Sequence, residues 1–66
     1  MPTRITGREK QILQLIGDGL TNKEIAYKLD RSIFTVQNHL RKVYFKLEVN
    51  DRFEAVEKAR KKGLLD

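Results

Sequence analysis

The sequence predicts an all-α domain: a four-helix bundle containing a helix-turn-helix. Three observations predict it. Threonine, serine and aspartate stand just ahead of apolar residues that recur every three or four positions. The only proline is Pro2, so nothing after it forbids a helix. The second and third helical patterns are separated by Asp30 and Arg31 alone before the next cap, and so tight a joint makes two helices cross at a large angle. A chain of 66 residues holds one domain, spanning 1–66, with a thin apolar core.

The first helix is expected from Thr6, whose spacing to Glu9 is that of a capping box. Ile12, Leu13 and Ile16 supply its buried side, and Gly17 and Gly19 should end it. The second starts at Thr21, again three residues before a glutamate, Glu24, with Ile25, Ala26 and Leu29 inward. It is about two turns long, so packing rather than intrinsic helicity must hold it. The third runs from Ser32 to Leu47, with Ile33, Val36, Leu40, Val43 and Leu47 forming one stripe. The fourth starts near Asp51, where Asp51 and Glu54 repeat the capping-box spacing. Ala55, Val56 and Ala59 face inward, Gly63 stops it, and Leu64 and Leu65 fold back onto the core.

Composition narrows function. There are no cysteines and one histidine, His39, so no metal site and no cofactor are expected. His39 has neither a nucleophile nor paired carboxylates suitably placed, so the chain is not expected to be an enzyme. No apolar run is long enough to span a membrane, and Met1–Arg4 lack the apolar stretch of a signal peptide, which fits a cytoplasmic protein. The net charge of +5 and pI near 9.8 suit a nucleic-acid partner.

The third helix carries the sharper signal. On a wheel of 100° per residue, Phe34, Asn38, Arg41, Lys42 and Phe45 lie opposite the apolar stripe. Thr35 and Lys46 border that face, and Gln37 and His39 flank it. From Arg31 through Leu47 there is no acidic residue, although the chain has nine. Solvated faces usually mix signs; an acid-free one suits a polyanion. Asn and Gln can bond bidentately to adenine, and Arg to guanine, in the major groove of double-stranded DNA. Thr21, Ser32 and Thr35 lie at helix N-termini, where free amides favour phosphate.

These segments resemble the LuxR/FixJ/NarL-type helix-turn-helix family. Ile5-Thr6-Gly7-Arg8-Glu9 is similar to its opening L-T-x-R-E, and Gly19 to Ala26 to its G-x-T-N-K-E-I-A. Ser32, Thr35-Val36, His39-Leu40, Lys46-Leu47, Val49, Arg52 and Glu54-Ala55 follow at the family's spacings without a gap. The resemblance implies a DNA-binding domain for transcriptional regulation, often the output half of a response regulator in a two-component system. It places base contacts on Gln37, Asn38 and Arg41, with Phe34 close by. It places phosphate contacts on Thr21, Asn22, Ser32, Thr35, His39 and Lys42. It also implies a homodimer through Phe53, Val56, Glu57 and Arg60, with an upstream regulatory domain. RNA polymerase, a partner of sigma-factor promoter-binding domains, is a further expected partner.

Four positions depart from the pattern. Arg31 replaces an aliphatic residue, a loss for which Ile33 could compensate; Gln37 and Phe45 stand where relatives often carry cations. Glu48 stands at a common glycine, where a left-handed backbone would cost about 1 kcal/mol. Two rival readings remain. A sigma-factor-like promoter-binding domain shares the T-x-x-E and E-I-A elements, but the stretch from Lys46 to Arg52 and the Glu54-Ala55 pair favour the LuxR type. A protein-interaction adaptor on the same scaffold would not need an acid-free face.

Overall fold

The computed structural model describes residues 4–65; Met1–Thr3, searched above for a leader, and Asp66 lie outside them. Four helices follow in order: α1 (Gly7–Gly17), α2 (Asn22–Leu29), α3 (Ile33–Leu47) and α4 (Arg52–Lys61). The caps explain the starts. Thr6 and Thr21 each accept from the amide three residues on, while Glu9 and Glu24 reach back to the cap amides, closing both expected boxes. Ser32 accepts from the Thr35 amide. The fourth cap differs from expectation. Asp51 accepts from the Glu54 amide, but the Glu54 carboxylate takes the amide of Asn50, one residue earlier, so the box is not reciprocal.

All four helices end in one hydrogen-bond pattern, in which an amide just past the helix bonds to the carbonyl five residues back. The pairs are Leu20 to Leu15, Arg31 to Ala26, Val49 to Tyr44 and Leu64 to Ala59. This closure needs a left-handed residue. Gly19 and Gly63 supply it for α1 and α4, and Gly17 is simply the last helical residue of α1 rather than part of its stop. Asp30 (φ 55°) and Glu48 (φ 57°) supply it for α2 and α3. Glu48 is thus held in the strained region that its position predicts.

The core has two joined parts. Ile12, Leu15, Ile16, Ile25, Ala26, Val36 and Leu40 pack where α1, α2 and the first half of α3 meet. Leu13, Val43, Leu47, Ala55 and Ala59 pack where α1, the second half of α3 and α4 meet, covered by Leu64 and Leu65 as expected. Tyr44 touches both. Ile33 does not join the stripe; at 40% exposure it lies outside, and Arg31 beside it is exposed. The joint is closed by the Arg31 amide on the Ala26 carbonyl, with the Arg31 side chain exposed.

Among the described residues the one buried charge is Glu9, 3% exposed. Its carboxylate accepts from Lys46 Nζ at 2.7 Å and from the Thr6 amide at 2.9 Å. Lys46 also donates to the Arg4 carbonyl at 2.9 Å. Burial pushes the Glu9 carboxyl up, but Lys46 and Thr6 outweigh it and hold it below the usual carboxylate range. Lys46 therefore turns back into the scaffold and does not border the polar face of α3.

Candidate nucleic-acid interface

The exposed side of α3 is built by the same periodicity that buries its other side. Val36, Leu40, Val43 and Leu47 are buried, which leaves Phe34, Gln37, Asn38, Arg41, Lys42 and Phe45 outward. Phe34 and Phe45 are 74% and 79% exposed, so neither is packed away. Between them Arg41 Nη1 lies 3.4 Å from Asn38 Oδ1, a long hydrogen bond that holds the two polar tips side by side. Among the described residues α3 is about 22 Å long, and the major groove, about 12 Å wide, admits such a helix.

The N-terminus of α2 stands next to this face. Asn22, Gln37, Leu40, Arg41 and Tyr44 line one shallow hollow, so a residue expected at the backbone sits beside two expected at the bases. Thr21 is exposed, with its oxygen accepting the Glu24 amide and its hydroxyl hydrogen still available to donate. Backbone and side-chain hydrogen bonds from Thr21 hold the Glu24 carboxyl below the usual carboxylate range. Ser32 and Thr35 form a second corner, their hydroxyl oxygens 3.1 Å apart. Ser32 is exposed and Thr35 half-buried. His39 is half-buried on the flank of α3, and Lys42 is exposed.

The expected partner surface lies along α4 and the end of α1. Phe53, Val56, Glu57 and Arg60 line one concavity with Ile16, Gly17 and Gly19 at the end of α1. Phe53 is exposed, whereas Val56 is half-buried and also packs on the core.

Two residues escaped the sequence reading. Tyr44 was hidden because it falls between the apolar stripe and the polar face, and burial pushes its hydroxyl pKa up. Arg52 reaches from α4 to the Leu20 carbonyl at 2.8 Å and to Asn22 Oδ1 at 2.5 Å. Its place in the family pattern was visible, but nothing in spacing alone says where a guanidinium will point.

Among the described residues no group of acids and histidine could hold a metal, and no helix is long and apolar enough to cross a membrane. A tight helix-turn-helix, with a basic, acid-free second helix exposed along one side, defines a DNA-binding module. Comparison with known proteins makes the class specific. Residues 3–59 match the family described as bacterial regulatory proteins, luxR family, and the chain belongs to it. It is 42% identical over 59 residues to the transcriptional regulatory protein DesR of Bacillus subtilis, covering 89% of this chain and 30% of DesR. It is 44% identical over 61 residues to the response regulatory protein YgeK of Escherichia coli, covering 92% of this chain and 42% of YgeK. The chain thus spans less than half the length of these relatives. Two solved structures share the fold. The response regulator ChrA of a heme-sensing two-component system gives a TM-score of 0.91 at 41% identity over 92% of this chain and 30% of ChrA. The transcription factor GerE gives 0.87 at 36% identity over 92% of this chain and 91% of GerE. The chain is a LuxR-type helix-turn-helix DNA-binding domain, and the relatives named are transcriptional or response regulators.

Proposed function

We propose that the domain docks α3 in the major groove, with Gln37, Asn38 and Arg41 on base edges and Phe34 against a thymine methyl. Thr21, Asn22, Ser32, Thr35, His39 and Lys42 contact phosphates on either side. The observation that carries this division is the arrangement of exposed side chains. The amide and guanidinium tips project from the middle of α3, while the hydroxyls sit at the starts of α2 and α3. Base edges need bidentate donors deep in the groove, and phosphates need short donors at its rim.

Two copies bind through the α4 edge, with Phe53, Val56, Glu57 and Arg60 at the two-fold axis and half-sites about 10 bp apart. The concavity beside Phe53 and its exposed ring support this pairing. A regulatory domain on a longer chain supplies the signal, in keeping with the response-regulator relatives, and RNA polymerase is a further partner in the cytoplasm. Sedimentation with a symmetric duplex, selected by the protein from a random pool, tests the stoichiometry. Two domains per duplex are expected; strict one-to-one binding contradicts the dimer. Binding to duplex that ignores salt would favour the adaptor reading over DNA recognition. Binding that required RNA polymerase would favour the sigma-like one.

A further inference from the structure

α2 and α4 do not pack on each other; every other pair of helices except these is in contact. One side chain bridges the gap. Arg52, the first residue of α4, is half-buried and places one guanidinium nitrogen on the Leu20 carbonyl and the other on Asn22 Oδ1. Leu20 lies just before the α2 cap and Asn22 is the first residue of α2, so both bonds grip the same corner. Tyr44 lies close enough to Arg52 for the guanidinium charge to act on its hydroxyl.

The chemistry of the Asn22 amide makes this grip directional. A primary amide has one accepting oxygen and two donating hydrogens. With Oδ1 held by Arg52, a flipped amide would point NH₂ hydrogens at guanidinium hydrogens, donor against donor. The Nδ2 group is therefore restricted to the side away from Arg52. Asn22 also lines the hollow shared with Gln37 and Arg41, on the DNA-facing edge.

We propose that Arg52 is a positioning residue for DNA binding: it fixes the Asn22 amide so that Nδ2 is presented to a backbone phosphate. This rests on the reading of Asn22 as a phosphate contact. Preorganising a donor removes the ordering cost of forming that contact on the DNA. The charge of Arg52 is already engaged by two oxygens, so its role is orientation rather than direct contact. A lysine keeps the charge but cannot hold both acceptors with a planar fork.

The test is a double-mutant cycle on a random-sequence duplex and on a selected one, using Asn22→Ala, Arg52→Lys and the pair. Each single change is expected to weaken both duplexes alike, by about 3- to 10-fold, the worth of one hydrogen bond. The pair should cost little more than Asn22→Ala alone, because Arg52 acts only through that contact. Independent, multiplying effects would overturn the role of Arg52 while leaving Asn22 as a contact. No effect of Asn22→Ala on affinity would overturn both. Side-chain amide relaxation by NMR on the unbound domain gives a second readout. The Asn22 NH₂ should be rigid in the parent and mobile in Arg52→Lys and in Arg52→Gln; unchanged rigidity in the folded variants would overturn the proposal.

Discussion

The two ends of α3 are held in different ways. The second half is tied down: Val43 and Leu47 are buried, Tyr44 joins the two parts of the core, and Lys46 is locked on the buried Glu9. In the first half only Val36 and Leu40 are fully buried, while Ile33, Phe34, Gln37, Asn38 and Arg41 face outward. One helix thus serves as scaffold at its end and as reading surface at its start. The lesson is sharpest for the two lysines. Lys42 and Lys46 are one turn apart on the same helix, yet one is exposed and the other is engaged inside the fold.

Breaking the scaffold end should have the largest effect on stability. Lys46→Met leaves a buried carboxylate unpaired and should cost about 3 kcal/mol in a urea titration. The same pair sets the acid response. Because the folded Glu9 carboxyl lies below its unfolded value, its stabilisation is complete above the unfolded value. It is lost as pH falls below the ordinary glutamate value and through the folded one. Urea midpoints should therefore drop on acidification in the parent and respond less in Glu9→Gln.

Changes at the reading end should leave the fold within about 0.5 kcal/mol and act on DNA instead. Arg41→Ala should weaken a selected duplex by about 5- to 150-fold, from a loss of about 1–3 kcal/mol, measured by fluorescence anisotropy. Asn38→Ala should relax preference at one base position in a repeat selection. Lys42→Ala should weaken all sequences alike and flatten the salt slope by about one unit. If Lys42→Ala changed base preference and Asn38→Ala did not, the assigned roles would be reversed.

The smallest effect belongs to the joint after α3. Glu48→Gly relieves a left-handed glutamate but adds freedom to the unfolded chain, for a net gain of about 0.5 kcal/mol. The urea midpoint should rise slightly, with DNA affinity unchanged.

Most of the fold was legible because periodicity and caps are local. Thr6, Thr21 and Ser32 act as the caps their positions announce, and Val36, Leu40, Val43 and Leu47 are buried as spaced. Ile33 misled because a residue in the first turn of a helix can fit the stripe and still project past the edge of the core. Lys46 misled because a long flexible side chain on a flank can turn either way. The buried Glu9 decides the matter from a distant part of the chain. Arg52 stayed unread for the same reason, since its partners lie about thirty residues earlier. Side chains whose role depends on tertiary partners are what a local pattern does not contain.

The account turns on α3 entering the major groove at its first half. Methylation interference on a selected duplex tests this directly, because methyl groups at guanine N7 obstruct the major groove and those at adenine N3 the minor groove. Interference from guanine N7 within each half-site, lost in Arg41→Ala, is the predicted result. Interference confined to adenine N3, or a pattern unchanged by Arg41→Ala, would contradict it.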